Sequence, residues 1–109
     1  RAFDKAENGD YYGAISDYTK VIEINPNDST SFYNRALAKQ NLEDYYGAIS
    51  DYTKAIEINS RHAKVYGKRG ILKIYVKDYY GGVTDLIKAL EIKFREIILH
   101  LDFFSVFGF

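Results

Sequence analysis

The stretch DYYGAISDYTK occupies residues 10–20 and recurs letter for letter at residues 44–54. Asp78 opens a third copy, so Asp10, Asp44 and Asp78 stand at a fixed period of 34 residues. Residues 10–25 and 44–59 share fifteen of sixteen positions, and 44–59 and 78–93 share nine, so the third copy has drifted. A catalytic site is assembled once from unlike groups. A verbatim repeat at fixed period is the mark of units that stack.

Within a unit the apolar spacing is helical. Tyr45, Ala48, Ile49, Tyr52, Ala55 and Ile56 advance in steps of three, one, three, three and one, which places them on one face at 3.6 residues per turn. That face must be buried. Asp44 stands where a helix N-cap accepts backbone N–H groups, and Asn25-Pro26-Asn27-Asp28 closes one helix before the next begins near Ser29. Each unit therefore reads as two antiparallel helices.

Period and residue types together resemble the tetratricopeptide repeat over about residues 1–96. The resemblance rests on Phe32 and Tyr66; on Ala2, Ala36 and Gly70; on Tyr11, Tyr45 and Tyr79; on Ala14, Ala48 and Gly82; and on Tyr18 and Tyr52. Val21, Ala55 and Ala89 fill the small position late in the second helix, and Pro26 follows the first unit. The resemblance implies an all-α fold of stacked antiparallel helix pairs in a short right-handed superhelical solenoid. Residues 1–28 form a truncated first unit, 29–62 and 63–96 two complete ones, and 97–109 an apolar tail that continues the last helix.

Some positions depart from the family pattern. Lys5, Lys39 and Lys73 replace an aromatic residue, and are expected to lay aliphatic stems over the interface with their charge in water. The small residues pair at a spacing of twelve: Ala2 with Ala14, Ala36 with Ala48, Gly70 with Gly82. Both members shrink in the third unit, which predicts a closer backbone approach there or looser packing.

Composition narrows the function classes. Fifteen basic residues balance fifteen acidic ones, so no overall field recruits nucleic acid or an anionic membrane. There is no cysteine, hence no disulfide, thiolate metal site or cysteine nucleophile. No run of eighteen apolar residues spans a membrane and the N-terminal residues do not form a signal peptide, so a cytoplasmic protein is expected. His62 and His100 lack a third ligand, and no phosphate loop or nucleophile elbow occurs, so neither cofactor, metal nor catalysis is expected. Asp17, Asp51 and Asp85 recur with Lys20, Lys54, Lys88 and Glu23, Glu57, Glu91. Their spacing of three suggests alternating charge ladders on exposed helix faces.

One asymmetry breaks the neutral balance. Residues 61–77 hold six Lys or Arg, one His and no acid. Arg61, Lys64 and Lys68 share one helical face, while Arg69, Lys73 and Lys77 share another. In the tetratricopeptide superhelix the first helix of each unit lines the concave groove. By that resemblance, Asn34, Lys64 and Lys68 match part of the carboxylate clamp with which some members hold acidic C-terminal tails. Arg61 would join them in polar recognition of a peptide, and Tyr33, Leu37, Ile71 and Tyr75 would add contact area, with Tyr33 and Tyr75 equally suited to packing between units. The reading is a non-catalytic protein-interaction adaptor or scaffold. Its partner is a protein or peptide, including one with a free acidic C-terminus, and not nucleic acid or membrane.

The tail carries a second expectation. Leu86, Leu90, Phe94, Ile97, Leu101 and Phe104 form a stripe, and the chain closes on FFSVFGF. Such a stripe folds back over the last unit, pairs with another copy or abuts a further part of the protein. Phe94, Ile97, Leu101 and Phe104 are the candidate homo-oligomer interface, which would make the chain a self-assembly module. An RNA-binding repeat is the remaining alternative, suggested only by the basic stretch.

Overall fold

The computed structural model describes residues 9–103. Ala2, Lys5 and Phe104, which carry sequence expectations, lie outside that range. Five helices follow one another: α1 (Tyr11–Ile24), α2 (Ser29–Asn41), α3 (Tyr45–Ile58), α4 (Ala63–Tyr75) and α5 (Tyr79–Phe103). No strand occurs among the described residues.

Helix starts follow from the aspartates. The carboxylates of Asp10, Asp44 and Asp78 accept the amides of Gly13, Gly47 and Gly81 at 2.9, 3.0 and 3.0 Å. Asp28 does the same for Ser31 at 3.3 Å. Each bond satisfies one of the donors that a helix N-terminus leaves open. Helix α4 is the exception, since its N-cap His62 provides no side-chain bond. The tight turns from first to second helix need a left-handed residue, and Gly9, Glu43 and Lys77 take it at φ 86°, 64° and 74°. The residues recur at the 34-residue period, so the turn is as periodic as the helices it joins.

The core lies between helices. Phe32 and Ala36 of α2 meet Ala48, Tyr52, Ala55 and Ile56 of α3 and Val65 and Leu72 of α4. A smaller cluster joins Ala14 and Tyr18 of α1 to Ala38 of α2. Each first helix thus packs on its own partner and on the preceding unit. The solenoid is 53 Å long, with a radius of gyration of 16.3 Å, against about 13 Å for a compact chain of 100 residues.

In the third unit the paired glycines bring α4 and α5 into close approach. A methyl group on Gly70 would stand 2.8 Å from the Gly82 carbonyl oxygen, and one on Gly82 would stand 2.7 Å from that of Gly70 and collide with Ile74. Ala36 and Ala48 fill the equivalent place in the second unit and are fully buried.

The charge ladder expected on the second helices is not what forms. Asp51 and Asp85 are buried, not solvated. Arg35 donates to both oxygens of Asp51 at 2.8 Å and, through Nη1, to the Thr19 hydroxyl at 3.0 Å. One repeat later Arg69 donates to both oxygens of Asp85 at 2.7 and 2.8 Å and to the Thr53 hydroxyl at 3.1 Å. Lys39 and Lys73 turn their ammonium groups to the same carboxylates, at 3.0 and 3.4 Å. Their charge is therefore matched at the helix interface, not simply left in water. The expected ladder spacing is kept at Lys54 and Glu57, 3.7 Å apart and exposed.

The two threonines complete the motif. Thr19 and Thr53 give their own hydroxyl protons to the carbonyls of Ile15 and Ile49 at 2.7 and 2.8 Å, leaving the oxygen to accept from an arginine of the next unit. Among the described residues no buried side-chain polar atom lacks a partner, as a closed network requires.

Candidate functional site

With one face of α2 and α4 packed on their own second helix and another on the preceding unit, a third remains. On α2 it carries Tyr33, Asn34 and Leu37, all half-buried. On α4 it carries Lys64, half-buried Lys68, and Ile71 and Tyr75, which are 59% and 66% exposed. Lys64 and Lys68 are four residues apart and so neighbours on one face. Neither they nor Arg61 form an ion pair with any described residue.

Gly67 lies between these lysines, at the position that Tyr33 holds one unit earlier. A Cβ built there meets nothing within 4 Å. Where α2 places an aromatic ring, α4 leaves open space beside its backbone, at a position between Lys64 and Lys68 in the chain.

The aromatic residues pack within a unit at Tyr33 and across a joint between units at Tyr75. The Tyr33 ring lies 5.9 Å from that of Tyr52 and stacks on His62 at 5.7 Å and 21°. Tyr75 meets Tyr45 of the preceding unit at 4.7 Å. Burial pushes the phenol pKa of Tyr33 upward, and it does the same at Tyr45. The Tyr52 hydroxyl donates to Gln40 Oε1 at 2.8 Å. Burial, reinforced by Tyr33, drives its pKa far above the ordinary tyrosine range.

Arg61 sits where the turn before α4 meets α5. It lines a cleft of about 320 Å³ with Lys88, Ile92, Arg95 and Glu96 of α5. Lys64 lines an adjoining hollow of about 430 Å³ with Arg61, Lys93 and Glu96. The sequence reading missed these α5 cations because they fall outside residues 61–77. Their helical spacing from Lys88 to Arg95 carried no sign that the turn before α4 would lie beside them.

The basic stretch also divides by role. The guanidinium of Arg69 is engaged by Asp85, whose hydrogen bonds hold its pKa above its already high ordinary value, and Lys73 shares that carboxylate. The other four cations of the stretch, Arg61, Lys64, Lys68 and Lys77, form no ion pair with a described residue.

Among the described residues no metal-ligating group of three side chains forms, and no helix is long and apolar enough to cross a membrane. Phe94, Ile97 and Leu101 lie exposed along α5, and Phe104 lies outside the described residues. No described residue folds back over them.

Stacked helix pairs with an open face on each first helix define a helical-repeat solenoid. Two tetratricopeptide repeat profiles match, at residues 29–62 and 5–28, together more than half of the chain. The chain belongs to the tetratricopeptide repeat family. No curated protein sequence matches it significantly. Solved structures do. The TPR2B-domain:pHsp70 complex of yeast Sti1 is 28% identical, covers 84% of this chain and 73% of its own, and superposes with a TM-score of 0.79. The second TPR of Spaghetti (RPAP3) bound to the HSP90 peptide SRMEEVD is 25% identical over 84% and 85%, with a TM-score of 0.81. The Arabidopsis OM64 TPR domain is 26% identical over 86% and 78%, with a TM-score of 0.81.

Proposed function

We propose that the chain is a non-catalytic adaptor that holds an extended peptide with an acidic, free C-terminus across the open faces of α2 and α4. The observation that carries this reading is the contrast among the cations. Arg35, Lys39, Arg69 and Lys73 are matched to Asp51 and Asp85, whereas Lys64 and Lys68, on either side of Gly67 in the chain, have no ion-pair partner among the described residues. Ammonium groups held beside apolar surface form charge-assisted bonds with carboxylates, and the Asn34 amide has two N–H donors for the same ligand. Ile71 and Leu37 give that ligand apolar contact, and Tyr75 gives it an exposed ring edge. The peptide complexes of the Sti1 and RPAP3 domains support a peptide as the partner class.

The test is fluorescence anisotropy of an acidic peptide, with its C-terminus free or amidated, against the wild type, Lys64→Ala/Lys68→Ala and Gly67→Tyr. The double variant is expected to weaken binding of the free peptide by about 100-fold, at about 1.5 kcal/mol for each charge-assisted bond. Gly67→Tyr should fill the open space beside Gly67 while leaving helicity intact. Equal binding of the amidated peptide, or binding indifferent to both lysines, would refute a carboxylate site.

A further inference from the structure

The face of α5 that points away from α4 breaks the repeat in one consistent direction. In the first two units the second helix presents a threonine, Thr19 or Thr53, to an arginine of the next unit. At the equivalent position α5 has Ile87, and the position equivalent to Arg35 and Arg69 is Phe103. Helices α1 and α3 stop at Ile24 and Ile58 with asparagine C-caps, whereas α5 has Lys93 there and continues to Phe103. The polar joint to a further unit is replaced by an apolar surface on an uninterrupted helix.

That surface is exposed where its counterpart is covered. Ile56 on α3 is 8% exposed under α4, while Leu90, its equivalent, is 68% exposed. Tyr79, Val83, Ile87, Phe94, Ile97 and Leu101 are likewise about half exposed or more. At roughly 200 Å² for a large apolar side chain, the exposed members leave about 800 Å² in water, which is what one partner contributes to a stable interface. The largest apolar patch on an ordinary monomer is about 300–600 Å².

The stripe joins six exposed residues to Leu86, which is half-buried beside Gly70 of α4 and borders the exposed face, and its spacing suits a second copy. Tyr79, Val83, Leu86, Leu90, Phe94, Ile97 and Leu101 advance in steps of 4, 3, 4, 4, 3 and 4, a series that reads the same in both directions. Turned end over end about Leu90, the stripe falls on itself. We propose that α5 pairs antiparallel with α5 of a second copy of this chain about a two-fold axis at Leu90. Leu90 then meets its own counterpart, Leu86 meets Phe94, Val83 meets Ile97, and Tyr79 meets Leu101. Every apolar position meets an apolar position over about 33 Å of helix, as an isologous interface demands. A partner of different sequence gains nothing from this reversal symmetry.

Sedimentation equilibrium of the 109-residue chain is expected to return a dimer's mass, and Leu90→Asp/Phe94→Asp a single chain's mass with unchanged far-UV circular dichroism. Because the chain has no cysteine, register can be read separately. Leu90→Cys should be captured as a covalent dimer by a short thiol cross-linker, whereas Tyr80→Cys, exposed on another side of α5, should not. A single chain's mass at every concentration would overturn the pairing and assign the stripe to a different partner. A dimer that persists in the double aspartate variant, or equal capture of both cysteine variants, would overturn it too.

Discussion

At the scale of single residues, similar-looking charges take on opposite roles. Asp51 and Lys54 lie one helical turn apart, yet Asp51 is buried beneath a guanidinium and an ammonium while Lys54 reaches an exposed glutamate. Deleting one partner of a buried pair strands the others, which costs about 3 kcal/mol at the lower end of the usual range. Both cations here keep some contact with water, which favours that lower end. Asp51→Asn is therefore expected to lose about 3 kcal/mol in urea unfolding. Lys54→Ala should lose no more than a few tenths. Equal losses would show that the aspartate is not the fulcrum of the motif. Reading 51, 54 and 57 along one helix suggested a solvated ladder because i, i+3 neighbours were the only partners in view. The true partners, Arg35 and Arg69, stand sixteen residues before their aspartates on another helix. Only overlaying the repeats reveals that Thr, Arg, Lys and Asp recur together.

At the scale of elements, one substitution separates helix propensity from helix packing. Alanine is about 1 kcal/mol better than glycine within a helix. Gly67 has open space beside it, so Gly67→Ala should raise stability by about 0.5–1 kcal/mol. Gly82→Ala offers α5 the same propensity gain but drives a methyl group into Ile74 and the Gly70 carbonyl, a crowding that typically costs about 1–3 kcal/mol. Thermal melts of the two variants should shift in opposite directions. Of the two outcomes anticipated for this glycine pair, the structure has the close approach. Periodicity and caps made the helix pairs legible in advance, because apolar spacing and aspartate position are local. Arg61's place beside Lys88 and Arg95 was not legible, since it depends on how a turn meets the second helix of the following unit.

At the scale of the whole molecule, buried phenols tie stability to alkaline pH. Tyr18, Tyr33 and Tyr52 all have pKa values raised by burial. A folded-state pKa above the unfolded one means that the native chain holds its proton more tightly. The contribution is complete below about pH 10, the unfolded tyrosine value, and is lost as pH climbs toward the folded values. Stability measured by urea midpoint should stay level in this respect up to about pH 10 and fall beyond it. In Tyr52→Phe that alkaline fall should be shallower, although the variant starts lower for want of the bond to Gln40. An identical slope in both proteins would place the alkaline sensitivity elsewhere.

The joint between units has a consequence for recognition. Asn34 is the residue before Arg35, and Lys68 the residue before Arg69, so each groove side chain rides on backbone anchored through its neighbour to a threonine of the previous unit. In the proposed adaptor these bonds would set the curvature of the groove before any ligand arrives. Little of the binding energy is consumed in reshaping the receptor. For the proposed peptide the groove is then expected to work as a fixed gauge, discriminating by the spacing of a ligand's charges and not bending to suit one of the wrong length.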